Sequence, residues 1–245
     1  MAPPLPDFSD LRAVYVNGSL QYDAADSHTM RLIRRSAGIM RRQGVDVDVV
    51  HALDHEIAFG MVTDATEHGR PRDDWPGLQE RITAADILVL GTPIWLGEPS
   101  SVTALVIERM YAYSGERNDH GQYLYYGKVG GCIVTGNEDG VKACSKQLLY
   151  ALQHIGYSIP PQADCGWIGE VGPGASYGDT VEGSDRPVGY DNDFTNRNTT
   201  IMTYNLLHLA RLLRDAGGFP VGGNVADRWT EVPNAADQDP DPVGP

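Results

Sequence analysis

The 245-residue chain has no run of about 20 apolar residues, the length that a membrane-spanning helix needs. Basic residues are also scarce: 19 lysines and arginines stand against 33 aspartates and glutamates, which gives a net charge of −14. Because so acidic a surface repels nucleic acids and anionic membranes, we expect neither as a partner. The first residues contain neither a basic region nor an apolar signal core, which favours a cytoplasmic protein.

Cysteine is equally sparse. The three cysteines, Cys132, Cys144 and Cys165, form no CxxC pair and lack the spacing of metal ligands. Cys132 falls in a predicted strand and Cys144 in a predicted helix, so we interpret the cysteines as reduced thiols of the core. No metal site is expected.

Short apolar runs alternate with amphipathic segments along the chain. We predict strands at residues 12–17, 45–50, 87–90, 129–135 and 163–168. The segments between them have apolar residues at spacings of three and four, which predicts helices. Strands that alternate with helices favour an α/β fold in three layers, with a five-stranded parallel sheet between the helices. Right-handed crossovers and the chain length favour the flavodoxin-like strand order 2-1-3-4-5.

One domain is predicted over residues 11–217, with flexible termini at residues 1–10 and 231–245. Residues 169–195 are rich in glycine and aspartate and have no periodicity, and so long a connection favours a functional loop or cover. Trp167 and Tyr190 are candidate aromatic residues of such a cover; the alternative is that they only anchor the loop.

The most informative loop follows the third predicted strand. Residues 91–101 contain two prolines, two glycines and Trp95, and open α/β sheets bind ligands where such loops leave the strands. An exposed backbone beside an indole suits a flat ligand with polar edges, such as a flavin. We expect Trp95 to stack on or flank the ring, with the backbone of residues 94–97 at its polar edge. In the alternative interpretation, the tryptophan only packs on the next helix.

The loop after the first strand, residues 17–29, has neither the GxGxxG dinucleotide fingerprint nor the GK[ST] ending of a P-loop. It offers the hydroxyls of Ser19, Ser27 and Thr29 beside free N–H groups at a helix start, and these suffice to hold a phosphate. The loop has no lysine or arginine, so neutral donors and the helix dipole would do so. The alternative is that Ser27 or Asp26 serves only as an N-cap.

The third loop, residues 135–140, runs from the fourth strand into a helix, and its two glycines let the backbone approach a ligand closely. Asn137 offers both a donor and an acceptor, which suits the pyrimidine edge of a flavin. Glu138 and Asp139 are also explained by their favourable charge at a helix start. Because such loops converge at the switch point of the sheet, we expect all three to form one site.

Together the loops resemble those of the flavodoxin-like, NAD(P)H-dependent FMN reductase family, over roughly residues 11–215. The resemblance implies non-covalently bound FMN. Its phosphate would lie at the first loop, with help from the backbone of His28, and its isoalloxazine against residues 93–97 and 135–140. The cofactor-binding residues implied are Ser19, Ser27, His28, Thr29, Pro93, Ile94, Trp95, Leu96, Gly97, Thr135, Gly136, Asn137, Glu138, Asp139 and Gly140. The resemblance also implies a homodimer or homotetramer. The first loop is longer and more acidic than is usual in the family.

Such a protein would be an FMN-dependent NAD(P)H oxidoreductase that passes electrons from NADPH or NADH to a quinone, a flavin or another small acceptor. Hydride transfer to a flavin requires no side-chain acid or base, so we assign no catalytic residue. We interpret His28 as a residue of the phosphate loop and His120 as a surface residue. Three alternatives stay open: a flavodoxin-type electron carrier, a substrate-specific flavoenzyme of secondary metabolism, and a flavin-free binding protein.

Overall fold

A computed structural model describes residues 4–169, 172 and 174–237 of the chain. Its strands are β1 (Arg12–Asn17), β2 (Asp46–His51), β3 (Ile87–Trp95), β4 (Glu98–Pro99), β5 (Val129–Gly136) and β6 (Asp164–Ile168). All pair in parallel except the two-residue β4, which pairs antiparallel with the end of β3. The parallel strands follow the order β2-β1-β3-β5-β6. The predicted order is therefore confirmed, with β4 as an addition.

In the described residues, five α-helices cover the two faces of the sheet: α1 (His28–Arg42), α2 (Trp75–Ala84), α3 (Ser101–Tyr111), α4 (Val141–Ile155) and α5 (Asp193–Asp215). Alternate residues of a strand point to opposite faces. Tyr15 accordingly packs in the core under α1 and α5, whereas Val14 and Val16 pack in the core under α2, α3 and α4. The predicted three-layer sandwich is confirmed.

Two elements are longer than the sequence pattern predicts. The helix α5 begins at Asp193, where Asn192 caps it by accepting a hydrogen bond from the Thr195 amide at 2.8 Å. Its first turns bury threonines instead of aliphatic residues, so they show no apolar periodicity. The strand β3 continues past Gly91 as far as Trp95, because a proline near a strand end is tolerated there.

The ends of the chain differ in part from the expectation. The predicted flexible leader, residues 1–10, includes Phe8, but in the structure this ring is 1% exposed and packs edge-on against His208. Residues 1–3, 170, 171, 173 and 238–245, which belong to the predicted leader, loop and tail, lie outside the described residues. The three cysteines are free and buried, as predicted.

A buried ion pair fixes the irregular connection between β2 and α2. Asp73 and Arg109 have side chains that are 0% exposed and 2.7 Å apart. Asp73 also accepts hydrogen bonds from the amides of Ala58 and Ala65. Burial raises the pKa of Asp73, but the hydrogen bonds from Arg109 and the backbone outweigh it, and the pKa lies below the usual value. The carboxylate therefore stabilises the connection.

We expect Asp73→Asn to lower the free energy of unfolding by about 3–5 kcal/mol, because it leaves the Arg109 charge buried without a partner. Since the folded-state pKa of Asp73 is depressed, its contribution is present at neutral pH and is lost as the pH falls below about 4. Denaturant unfolding between pH 7 and pH 3 tests both effects. The control is Asp48→Asn, which breaks a half-exposed pair with Arg81 and should cost less than about 1 kcal/mol. Equal losses in the two variants would contradict the prediction.

Candidate functional site

The ends of β1, β3 and β5 open onto one cavity of about 500 Å³, a size within the usual range of small-molecule sites. The three loops expected to converge all contribute to it, and Gly172, Ser176 and Tyr177 close another side. The lining residues are Ser19, Leu20, Gln21, His28, Thr29, Pro93, Ile94, Trp95, Thr135, Gly136, Asn137, Glu138, Gly172, Ser176 and Tyr177.

Ser27 is not part of this lining. Its hydroxyl oxygen accepts a hydrogen bond from the Met30 amide at 3.0 Å, and it is the N-cap of α1. The Asn17 amide also donates to it, at 3.2 Å. With both hydrogen bonds inside the protein, Ser27 shapes the start of the helix, which is the alternative role considered above.

Four further residues of the predicted site lie outside the cavity. Leu96 and Gly97 form the two-residue tip of the β3–β4 hairpin, both with positive φ, and the Leu96 side chain is 90% exposed. Asp139 and Gly140 line a separate shallow depression beside Lys142. Ten of the predicted cofactor-binding residues therefore line the cavity, and these four lie outside it.

The first loop and α1 place neutral hydrogen-bond donors at one end of the cavity. The amides of His28 and Thr29 are the first of the helix, so neither has an intrahelical acceptor. The Ser19 hydroxyl oxygen accepts from the Gln21 amide at 3.2 Å, which leaves its proton free to donate. The exposed Asp23 carboxylate accepts from the amide of Ala25, so the acidic side chain points away from this end.

Asn17 and His51 give the first loop its shape, a role that the sequence analysis missed. The Asn17 amide donates to His51 Nδ1 at 3.0 Å, and its oxygen accepts from the Ser19 amide at 3.2 Å. His51 then carries its proton on Nε2 and donates it to the Gln21 carbonyl at 2.8 Å. The only signal in the sequence is an asparagine at the end of a predicted strand, and nothing in the sequence indicates its partner.

Gly18 brings the first loop against β3 and α3. Its amide donates to the Gly91 carbonyl at 2.8 Å, and its carbonyl accepts from the hydroxyl of Ser100, the N-cap of α3. A Cβ atom at Gly18 would lie 1.9 Å from Thr103 Oγ1. Only glycine therefore allows this approach, which sets the position of the neighbouring Ser19.

Residues 174–179 form a cover that is fastened to both sides of the cavity. The Tyr177 carbonyl accepts a hydrogen bond from His28 Nδ1 at 2.9 Å, and the Gly178 carbonyl accepts one from Arg31. On the opposite side, the Asn137 amide donates to the Gly174 carbonyl. The cover thus connects the start of α1 to the loop after β5.

The ring of Tyr177 anchors this cover in the core. Its centroid lies 5.9 Å from that of Trp167 and 5.3 Å from that of Tyr190. Burial raises the pKa of Tyr177 to about 12, so the phenol is neutral at physiological pH. Trp167 and Tyr190 are not among the cavity-lining residues, and both pack against this anchor. His120 is exposed, as interpreted.

The residues present fit a flavin phosphate. Neutral N–H and O–H donors lie at one end of the cavity, while Pro93, Ile94 and Trp95 line the other beside Asn137. The Asn137 Oδ1 atom is buried and has no hydrogen-bond partner among the described residues. Such an atom costs about 1–3 kcal/mol unless a ligand or water donates to it, and a flavin ring edge carries a suitable N–H group.

Residues 11–166 match the family model described as NADPH-dependent FMN reductase. The 8-demethyl-8-aminoriboflavin-5′-phosphate synthase of Streptomyces davaonensis is 34% identical over 210 residues, which cover 84% of this chain and 79% of that protein. The crystal structure of RosB with the bound intermediate 8-demethyl-8-formylriboflavin-5′-phosphate has a TM-score of 0.78 and 31% identity, covering 94% of this chain and 88% of that one.

The divalent metal cation transporter MntH of Mycobacterium bovis is 53% identical over 240 residues, which cover 95% of this chain and 34% of that protein. The chain therefore spans about a third of the length of that relative. In the part of the chain that the structure describes, no helix is long and apolar enough to cross a membrane. The same residues contain no group of three or more His, Cys, Asp or Glu that could hold a metal ion.

The fold, the cavity and the family match define a flavodoxin-like domain of a flavin reductase family. The chain belongs to the NADPH-dependent FMN reductase family, since the family match covers more than half of its length. FMN and NAD(P)H are accordingly the cofactors that the family and the structural relative support.

We expect Gly18→Ala to lower the free energy of unfolding by about 1–3 kcal/mol, because the added methyl group overpacks against Thr103 and displaces the loop. FMN affinity, measured by quenching of flavin fluorescence, should fall with it, since Ser19 moves. Combining Gly18→Ala with Thr103→Ala should restore part of both losses. Gly77→Ala is the control, because a Cβ atom there has nothing within 4 Å. Losses of the same size in the control would contradict this account.

Proposed function

We propose that this protein is an FMN-dependent NAD(P)H oxidoreductase that passes electrons to a quinone, a flavin or another small acceptor. The observation that carries the proposal is the cavity itself. One end offers neutral phosphate donors at the start of a helix, and the other offers an apolar wall beside Asn137. When bound, FMN would supply the hydride-accepting chemistry.

The first loop would bind the phosphate. The amides of His28 and Thr29 and the hydroxyl of Ser19 would donate to its oxygens, aided by the positive end of the α1 dipole. The Thr29 hydroxyl lies 2.7 Å from that of Thr135, which holds the phosphate end against the loop after β5. This chain would thus neutralise a phosphate without a cationic side chain in the loop.

The second and third loops would orient the ring. Ile94 is 4% exposed and forms a rigid floor, while Trp95 is 51% exposed at the mouth, where it would flank the ring and shield it from water. Asn137 would accept a hydrogen bond through Oδ1, which has no partner among the described residues. His28 is committed to the Tyr177 carbonyl through Nδ1, so its side chain positions the cover, and we still assign no catalytic residue.

A second candidate is a substrate-specific flavoenzyme of secondary metabolism. The similarity to the synthase from Streptomyces davaonensis favours it, since that alignment covers 84% of this chain. The cover at residues 174–179 also lies beyond the family match, which ends at residue 166. In this candidate the cover would restrict the cavity to one substrate, and a riboflavin phosphate could itself be that substrate.

The visible spectrum of the purified protein with FMN, recorded under anaerobic conditions before and after NADPH or NADH, tests the proposal. We expect FMN to bind and then to bleach rapidly, with a broad range of acceptors reoxidising it. Bound flavin that neither nucleotide reduces would overturn the reductase proposal in favour of the second candidate or of a flavodoxin-type carrier. Absence of FMN binding by the folded protein would overturn the assignment of all three loops.

We further propose that the protein is a homodimer or homotetramer, and that the hairpin tip takes part in the contact. Leu96 is apolar, 90% exposed and in the left-handed conformation, which leucine rarely adopts.

The variant Leu96→Asn tests this contact, because asparagine replaces the apolar side chain and tolerates the left-handed conformation. We expect it to weaken association, measured by light scattering after gel filtration, while the melting temperature of the dilute protein is retained. Leu212→Asn, at another exposed leucine, is the control. Unchanged association in Leu96→Asn would contradict the assignment.

A further inference from the structure

The helix α1 carries an unusual amount of positive charge for so acidic a chain. Five of the 19 basic residues of the chain lie on these 15 helical residues: Arg31, Arg34, Arg35, Arg41 and Arg42. Neighbouring arginines at spacings of three and four repel one another and destabilise a helix unless an anion lies between them. The distribution of their partners is therefore informative.

Three of the five arginines have partners within the protein. Arg31 binds the Gly178 carbonyl, Arg35 binds the carbonyl of Tyr190 and the Asn196 side chain, and Arg41 binds the Val47 carbonyl.

The other two, Arg34 and Arg42, have neither a hydrogen bond nor an ion pair with any residue in the described ranges 4–169, 172 and 174–237. Their charges are thus available to a ligand.

Arg34 and Arg42 line a groove between α1 and α5. It has a volume of about 380 Å³, which is sufficient for a small molecule. The residues that line it are Arg34, Arg35, Gly38, Ile39, Arg42, Asn196, Thr199 and Thr200. This lining combines three cations with polar side chains and includes no carboxylate, although acidic residues outnumber basic ones in the chain.

Gly38 forms the floor of the groove. A glycine inside a helix costs roughly 1 kcal/mol relative to alanine. Packing does not require it here, because an added Cβ atom would meet nothing closer than Arg42 Nη1, at 3.8 Å. The missing side chain instead leaves open space between Arg34, one turn before it, and Arg42, one turn after it. A ligand in the groove would use that space.

We propose that this arginine groove binds a phosphate-bearing anion, with a diphosphate as the best match to its three positive charges. Guanidinium groups bind phosphate oxygens in pairs and with fixed geometry. Arg35 is already held by Tyr190 and Asn196, and Arg34 and Arg42 close on the anion from either side of Gly38. The site is separate from the cavity and does not depend on the proposed oxidoreductase activity.

Isothermal titration with inorganic pyrophosphate at an ionic strength of about 0.15 M tests the site, because the Debye length is then about 8 Å and distant charges are screened. We expect Arg34→Gln and Arg42→Gln each to weaken binding about tenfold, the loss of one charged hydrogen bond. Arg41→Gln removes the same charge from the same helix outside the groove and should change the affinity less than about twofold. Gly38→Leu should block the groove without changing the charge, whereas Gly38→Ala should retain most of the binding. No binding by the wild type, or equal losses in all three arginine variants, would overturn the proposal.

The titrations are carried out with and without saturating FMN. The loss of pyrophosphate affinity in the Arg34 and Arg42 variants should be the same with and without FMN, because FMN occupies the other site. If the protein fails to bind FMN, the titration still shows whether the groove binds pyrophosphate. Competition by NADPH but not by NADH would identify the nucleotide 2′-phosphate as the source of the anion. Competition by both would identify the diphosphate bridge that the two nucleotides share, and competition by neither would identify a free anion. Each of these three results supports the groove as a phosphate site and separates the sources.

Discussion

The close approach of α1 to the sheet at Gly91 is the constraint on which the candidate site depends. A Cβ atom at this position would lie 2.5 Å from Ile33 Cδ1 and 3.1 Å from Thr29 Cγ2. Its absence brings the start of the helix over the ends of β3 and β5, where the hydroxyls of Thr29 and Thr135 meet at 2.7 Å. The Gly91 carbonyl also accepts from the amide of Gly18. One missing side chain therefore places the first loop, the helix dipole and the third loop around the same cavity.

The order of the strands and the convergence of the loops could be predicted from the sequence, because both follow from the alternation of elements and from the rules for parallel sheets. Individual side-chain roles could be predicted only in part. The hydroxyl of Ser27 could serve either a ligand or the helix start, and in the structure it caps α1. Leu96 and Gly97 belong to a loop correctly placed at the site, yet the hairpin turns them outward, since β3 continues to Trp95.

The contacts that the sequence could not reveal are those between distant segments. Asn17 and His51 are 34 residues apart, and their hydrogen bond requires β1 and β2 to be in register. The pairing of the Tyr177 carbonyl with His28 joins residues 149 positions apart. Neither pair can be recognised in the sequence, because loops have no hydrophobic periodicity and a single hydrogen bond between distant residues requires no fixed sequence spacing. Composition indicated that residues 169–195 formed a functional segment, but tertiary packing decides what it covers.

The helix α1 has neutral hydrogen-bond donors at its start and positive charge farther along. The proposed phosphate end of the cavity uses neutral donors and a helix dipole, and these act over one turn without attracting bulk anions. The arginines of α1 lie farther along the same helix, where Arg31 holds the cover through the Gly178 carbonyl and Arg35 binds the Tyr190 carbonyl. Arg31 also pairs with Asp179 at 3.9 Å, whereas the carbonyl partner of Arg35 leaves its positive charge uncompensated. A chain with a net charge of −14 can thus present a cationic face without adding a cation to the first loop.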